Sequence, residues 1–523
     1  MFNKILNSPN YIIYIIPFIL GTLTTFSFQP FNFTIINFIV LPLLFLTLVY
    51  VNKRTKSYYR KKPYNKNFFL IGLIFGFSFY LSGIYWISYS LTFDDNFKFL
   101  IPFAILLIPL FLSLFTALTT LIIGRFLSYN LYSIILFSAA FSIIDFIRGK
   151  ILTGFPWNLW AYSWSWLTDV LQSLNYLGLY AFNLIAITIF TVPALVFFKT
   201  SNKLKIATLS LILLLFFSNY IFGSFSINKN KALLNFLKKE ESINVKVISP
   251  NFELKYNYSE EEIKDKLLKL IRYSEIDSDK KTIFIWPEGV FTGFYFKDIK
   301  KFSNIFKNKF NQNHKIILGI NTYDIATDDY FNSLLVVDHD FQILHKYNKT
   351  KLVPFGEFLP FENFLNKLGL KKITQGHGSF SKGQELKTFK IENIIFLPLI
   401  CYEIIFPELL QKSKKSNMII NISEDGWFGN SIGPHQHFAK AIFRSIESNS
   451  YLARSANKGI SAIINNKGEI IKKLDVNEAG NIEMNIPLIE TNYKNKNDLI
   501  FFILLFTYLL IYLIFNIKNN AKK

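Results

Sequence analysis

A single cysteine, Cys401, in 523 residues leaves no partner for an intramolecular disulfide and no multi-cysteine metal site. Acidic residues are also scarce, 36 Asp and Glu against 57 Lys and Arg, for a formal net charge of +21. Charged residues of both signs make up only 18% of the chain, which excludes a disordered polyelectrolyte. The basic excess invites a nucleic-acid reading, but a composition of 51% hydrophobic and 18% aromatic residues is too apolar for that class. No glycine-rich phosphate loop, internal repeat or heptad run is present.

What the chain has instead is long apolar runs. Stretches able to cross a ~30 Å hydrocarbon core need about 17–25 residues. They lie near 10–28, 33–51, 67–91, 99–123, 131–147, 173–198, 204–225 and 499–517, predicting eight spans. The first is read as a retained anchor, because Thr24-Thr25-Phe26-Ser27-Phe28-Gln29 offers no small-x-small cleavage site. Residues 1–225 carry 15 Lys/Arg and 4 Asp/Glu, and 12 of the 15 fall at the N-terminus or in loops after even-numbered spans. Seven of them (Lys53, Arg54, Lys56, Arg60, Lys61, Lys62 and Lys66) share one loop. The positive-inside rule then puts both termini in the cytoplasm and residues 230–498 on the opposite side.

That insert alternates short β-rich runs with helical patterns, the signature of an α/β domain. Strands are predicted at Val245–Ser249, Thr282–Trp286, Lys315–Ile320, Ser333–Asp338, Ile394–Ile400, Met418–Ile422 and Ile460–Ile463. A helix is expected to open at Ser259, where Glu262 completes a capping box. A second is expected over Pro434–Ser448.

Three motifs follow strand ends, where ligands bind in α/β folds. Trp286-Pro287-Glu288 sets a carboxylate beyond one strand, and Ile400-Cys401-Tyr402-Glu403 sets the only thiol beyond another. Between them, Tyr347-Asn348-Lys349-Thr350-Lys351 and the following Glu357 supply cations and a second acid. A thiol, a carboxylate and an ammonium can serve as nucleophile, base and electrostatic stabiliser. A lone cysteine is more often a small buried hydrophobe, so the combination carries the argument; the residues alone do not decide between Lys349 and Lys351. His435 and His437 form a His-x-His pair with no third ligand nearby, so a helix start packed near the site is expected rather than a metal.

Glu288, Lys349 and Cys401, in this order and context, resemble the Glu-Lys-Cys triad of the nitrilase (carbon–nitrogen hydrolase) superfamily. Leu352-Val353-Pro354-Phe355-Gly356-Glu357, Ser423-Glu424-Asp425-Gly426-Trp427-Phe428-Gly429 and Gly433-Pro434-His435-Gln436-His437 narrow the resemblance to the apolipoprotein N-acyltransferase family. In the membrane half, Gly83-Ile84-Tyr85-Trp86-Ile87-Ser88, Arg148-Gly149 and Thr153-Gly154-Phe155-Pro156-Trp157-Asn158 resemble the same family. Two residues depart from its pattern. Asp145 stands where a glutamate is expected, and Glu424 stands where an asparagine is usual.

The resemblance implies a polytopic helical membrane bundle of about eight spans. An α/β nitrilase-like αββα sandwich is inserted before the last span. The expected domains are 1–228, a membrane domain of seven helices; 229–492, a periplasmic catalytic domain; and 493–523, the last helix and a basic cytoplasmic tail. The implied location is the bacterial inner membrane. By the family pattern Cys401 takes an acyl chain from a phospholipid (phosphatidylethanolamine or phosphatidylglycerol) as a thioester. It then passes the chain to the N-terminal α-amine of a diacylglyceryl-cysteine apolipoprotein, the last step of lipoprotein maturation.

Glu288 is then the base and Lys349 the oxyanion stabiliser, the choice over Lys351 resting on its spacing from the tyrosine. Glu357, Tyr402 and Glu403 support them; no cofactor, metal or nucleic acid is implied. Two rivals are a membrane-tethered nitrilase-type amidase hydrolysing a small C–N bond and a transporter or other non-enzymatic membrane protein with a degenerate extracellular domain. The apolar loop of Phe355, Phe358, Leu359, Phe361, Phe364 and Leu365 reads either as a lipid-dipping guide or as satellite core. The aromatic loop 154–166 reads as an interfacial belt or a lining of the lipid entrance.

Overall fold

The structure, a computed structural model, describes residues 10–55, 65–240, 242–255, 258–360, 362, 379–412, 416–489 and 497–520. Contacts divide the chain into two units. Residues 1–88, 99–225 and 496–523 form the first, and residues 89–98 and 226–495 form the second.

Among the described residues, seven helices are long and apolar enough to cross a membrane. They are Thr34–Arg54, Asn65–Phe93, Asp95–Phe126, Leu131–Lys150, Leu179–Phe197, Asn202–Leu237 and Asp498–Lys518. A shorter apolar helix, Tyr11–Ser27, precedes them, so all eight expected runs are helical. Helix contacts in the first unit run through small residues, as bilayer packing favours. Gly72 and Gly76 lie against Thr116 and Thr120, where a Cβ on Gly72 would come within 2.0 Å of the Thr120 hydroxyl. That closeness lets Thr116 Oγ1 donate to the Gly72 carbonyl at 3.0 Å and Thr120 Oγ1 donate to that of Phe68 at 2.8 Å. Leu213, Leu214, Leu215, Ile221 and Phe225 stay exposed, an apolar surface suited to lipid.

The aromatic loop 154–166 is not an exposed belt. Trp157, Trp160, Tyr162 and Trp164 are at most 5% exposed, and only Trp166 is open. A buried polar network draws the loop inward. Arg148 donates through Nη2 to Asp145 Oδ1 at 3.0 Å and through Nη1 to the Phe155 carbonyl. Asn183 donates to Asp145 Oδ2 at 2.9 Å while its own carbonyl oxygen accepts the Ala161 N–H at 3.0 Å. Asp145, in the glutamate's expected place, is thus satisfied on both oxygens.

The second unit is built on two six-stranded sheets. The first has the order β12-β1-β2-β3-β4-β5, from β1 (Ser242–Ser249), β2 (Thr282–Ile285), β3 (His314–Asp324), β4 (Asp329–Val337), β5 (Ile343–Asn348) and β12 (Gly480–Pro487). The second has the order β11-β10-β9-β8-β7-β6, from β6 (Phe389–Ile391), β7 (Ile394–Ile400), β8 (Met418–Glu424), β9 (Tyr451–Asn457), β10 (Ser461–Ile464) and β11 (Ile470–Leu474). In each sheet a central parallel trio is flanked by antiparallel strands: β1, β2 and β3 in one, β7, β8 and β9 in the other. Parallel strands buried on both faces read as continuous apolar runs, as in Ile283–Ile285 and Ile419–Ile420.

Strand β1 pairs antiparallel with β12, from Ser242↔Pro487 to Ser249↔Gly480. Serines stitch the sheets together: Ser455 Oγ on β9 donates to the Ile248 carbonyl on β1 at 2.7 Å. The Glu260–Ser274 helix begins at the expected capping box, with Ser259 Oγ and the Glu262 side chain each accepting the other residue's N–H. It packs Ile263, Leu267, Leu270 and Ile271 into a core with Trp286, Ile316 and Leu335. The expected second helix runs over Gly433–Ser448.

Candidate active site

The first sheet supplies Glu288, Lys349 and Glu357. Strand β2 ends at Ile285, and the Trp286 N–H still donates to the Ile317 carbonyl at 2.8 Å before Pro287 and Glu288 leave the ladder. Strand β3 passes close beneath, where a Cβ on Gly319 would stand 2.6 Å from the Glu288 Cα. Only glycine lets the two backbones approach so closely. Lys349 follows β5 and stays tied to β4, its N–H donating to the Asn332 carbonyl at 2.9 Å. Glu357 sits in a turn of its own making, with Oε2 accepting the Val353 N–H at 2.8 Å.

These side chains meet in a buried cluster. Lys349 Nζ donates to Glu357 Oε1 at 2.9 Å and lies 3.5 Å from Glu288 Oε1, with only 2% of its side chain exposed. Asn332 Nδ2 donates to both carboxylates at 2.7 Å, holding them around the ammonium. The second Glu288 oxygen accepts the Glu424 N–H at 3.1 Å. Burial pulls the Lys349 pKa down, but the facing charges of Glu288 and Glu357 more than reverse this and hold it charged. Lys351 instead pairs with Glu408 at 3.4 Å over the Phe406 ring, away from the cluster.

The second sheet supplies the thiol. Cys401 begins the Cys401–Ile405 turn after β7 with a left-handed backbone, φ +47°. Burial, and next the Glu288 charge, push its thiol far up from the ordinary range, against the pull of Lys349. A neutral thiol of this kind needs a base at the moment of attack.

Glu403 is the joint between the two sheets. Its Oε1 accepts from the Tyr347 hydroxyl (2.7 Å), the Thr350 N–H (2.8 Å) and hydroxyl (2.9 Å), and the Lys351 N–H (3.1 Å). Its Oε2 accepts the Ile400 N–H at 2.9 Å, so one buried carboxylate holds the lysine loop and the cysteine strand together. Tyr402 is 9% exposed and packs edge-on against Phe406 at 5.0 Å. Of the apolar loop that follows Lys349, Phe355 is exposed and Leu359 buried, while Phe361, Phe364 and Leu365 lie outside the described residues.

Sequence reasoning missed several members. Asn332 carries no motif; its signal is a polar pair, Asn332-Ser333, before the apolar run of β4. Ser423, Asp425 and Arg454 cluster behind Cys401, joined by His437 from the His-x-His pair. Ser423 stands beside the Cys401 thiol. Its Oγ donates to Asp425 Oδ1 at 2.6 Å. Arg454 Nη2 donates to Asp425 at 2.8 Å and 3.0 Å. Burial opposes the charge on Asp425, yet Arg454 and His437 hold its carboxyl far below the usual range.

Glu424, the departure from the asparagine pattern, accepts from Gly426 N–H and Asn457 Nδ2, both at 2.8 Å. Burial still pushes it up to about 8 from an ordinary value of 4.5. A raised carboxyl pKa favours the protonated folded state, so its penalty grows as pH climbs from about 4.5 to about 8 and is constant above. Chemical unfolding at stepped pH is expected to show the wild type losing stability relative to Glu424→Gln across that window. A constant difference would refute the assignment.

The chemistry available is nucleophilic acyl transfer. A buried thiol can be deprotonated by a carboxylate, and a fixed cation stands ready for the developing oxyanion. Two family models match the chain: "Apolipoprotein N-acyltransferase N-terminal domain" over residues 20–192 and "Carbon-nitrogen hydrolase" over residues 255–492. The chain is similar to apolipoprotein N-acyltransferase of Rickettsia typhi, at 33% identity over 84% of this chain and 89% of that protein. It is also similar to the Rhodopseudomonas palustris protein of that name, at 30% identity over 80% of each chain. Among solved structures, XC1258 of Xanthomonas campestris, a CN-hydrolase superfamily protein, aligns with a TM-score of 0.35. That alignment has 14% identity and covers 47% of this chain and 91% of that one.

Proposed function

The chain belongs to the apolipoprotein N-acyltransferase family, and from that premise we propose how its residues carry out the transfer. It is a membrane-embedded acyltransferase of lipoprotein N-acylation. The donor in this reading is a phospholipid, and the acceptor is the α-amine of an N-terminal diacylglyceryl-cysteine. The observation that carries the mechanism is one charged lysine buried between two carboxylates beside a thiol kept neutral.

In the first half, Glu288 takes the Cys401 proton as Sγ attacks the ester carbonyl, and Lys349 faces the oxyanion. The ester C–O bond breaks, and Glu288 returns its proton to the departing lysophospholipid oxygen. In the second half, the amine attacks the thioester and gives its proton to Glu288. The C–S bond breaks, and the thiolate recovers that proton. Glu357 and Asn332 keep Lys349 and Glu288 aligned through both halves. The basic loops support an orientation with both termini in the cytoplasm and the α/β unit in the periplasm, in a bacterial inner membrane.

The test incubates the full-length protein in detergent with phospholipid carrying a labelled acyl chain. Wild type is expected to acquire a hydroxylamine-sensitive acyl label, and Cys401→Ala none. A diacylated lipopeptide with a free α-amine should then discharge the label onto itself, while an N-acetylated one should not. Equal labelling of Cys401→Ala would sink the thioester, and release of free fatty acid in place of acylated lipopeptide would favour a hydrolase.

A further inference from the structure

The cluster of Asp425, His437 and Arg454 touches the nucleophile yet supplies no atom to the steps above. Cys401 holds a left-handed backbone, which is costly for any residue with a side chain. Its carbonyl oxygen lies 3.2 Å from Nε2 of the fully buried His437. A carbonyl only accepts, so Nε2 carries the hydrogen. Across the ring, Nδ1 is 3.0 Å from both Arg454 Nη2 and Asp425 Oδ1. A neutral ring accepts there from Arg454, and a protonated ring donates there to Asp425. Either form leaves Nε2–H on the Cys401 carbonyl.

That carbonyl and the Tyr402 N–H belong to one planar trans peptide and point in opposite directions. Among the described residues the only cis peptide bond is Gln29–Pro30. Holding the oxygen therefore aims the N–H. Backbone N–H groups beside a nucleophile are the usual donors to the oxyanion of acyl transfer.

We propose that His437 is a positioning residue that aims the Cys401–Tyr402 peptide, so that the Tyr402 N–H joins Lys349 as a donor to the oxyanion. This deepens the acyl-thioester reading and rests on it. Asp425 and Arg454 set the ring, and the ring sets the peptide. The Ser423 hydroxyl donates to Asp425, so the same cluster also fixes the side chain that stands beside the thiol.

The test compares wild type, His437→Gln and His437→Phe as full-length proteins in detergent, using phospholipid with a labelled acyl chain. Gln keeps an amide N–H near the position of Nε2, whereas Phe keeps the ring volume and has no donor. His437→Phe is expected to slow thioester formation about 10²–10³-fold, the usual loss for one oxyanion donor. Half-saturating phospholipid should stay within about twofold, and iodoacetamide alkylation of Cys401 within about threefold, since alkylation passes through no oxyanion. His437→Gln should recover at least about tenfold of the lost rate. Equal losses of alkylation and acylation in His437→Phe, an unchanged rate, or a glutamine variant as slow as phenylalanine would each overturn the assignment. Absence of label on the wild type would refute the thioester itself and so would be told apart from a failure of this inference.

Discussion

Lys349→Met is expected to lower acyl transfer by about 10³-fold or more, and the loss has two separable parts. The first is the missing cation at the oxyanion, where removal of one stabilising group costs about 10²–10³ in rate. The second is electrostatic reorganisation. Asn332 holds Glu288 and Glu357 at 2.7 Å each, around the position that Lys349 Nζ occupies. Without the ammonium, two buried carboxylates share that space, and like charges so close cannot both stay ionised. One of them takes up a proton, and where that is Glu288 the base is lost. The residual activity should therefore rise toward higher pH more steeply than that of wild type. A pH–rate profile of thioester formation checks this; a uniform reduction at every pH would leave only the first part standing. Methionine keeps the stem's volume, so a collapse of the fold is not built into the test.

Glu288→Gln should move two measurements in opposite directions. Acyl transfer is expected to fall by about 10²–10⁴, the span of general-base contributions. Alkylation of Cys401 should become faster at a given alkaline pH. After burial, the Glu288 charge is the largest influence raising the thiol pKa, while Lys349 pulls it down. Neutralising Glu288 leaves the pull of Lys349 less opposed, so the thiolate fraction rises. The nucleophile is then easier to ionise yet cannot complete acyl transfer, because no group takes the proton in concert with attack or returns it to the leaving oxygen. Slower alkylation in this variant would show that Glu288 does not set the charge environment of the thiol. The amide also has a local cost: one of its ends faces the Asn332 or Glu424 N–H donor with another donor.

The placing of the candidate site at strand ends was legible because strand and reactive group are written consecutively. Ile283-Phe284-Ile285-Trp286-Pro287-Glu288 and Leu399-Ile400-Cys401 are each an apolar run followed by a reactive group. The membrane runs were legible because a bilayer leaves little freedom in length or composition. Strands β5 and β11 escaped because their exposed faces carry Lys346, Lys472 and Lys473, with no apolar alternation to mark them. Of the two readings of the aromatic loop, the exposed belt fails because tryptophans suit an interface and a core equally, and the Arg148 and Asn183 contacts draw these inward. Asn332, His437 and Arg454 act across strand and sheet neighbours that are remote in sequence. No spacing rule connects Arg454 on β9 to Asp425 at the end of β8.

The pairing of β1 with β12 sets a schedule for synthesis. Strand β1 is among the first parts of the α/β unit to be made, and its antiparallel neighbour is the last strand. A contact spanning so much sequence forms late, since loop closure must precede any gain from pairing. During chain growth Cys401 emerges well before Gly480–Pro487, so the thiol exists for a time in a chain whose first sheet is still open on its β1 edge. The residues that make the thiol useful, Glu288 and Lys349, belong to that unfinished sheet. Full acyl-transfer competence is therefore expected only with the end of the insert, and a chain truncated before residue 480 would carry Glu288, Lys349 and Cys401 on an incomplete frame.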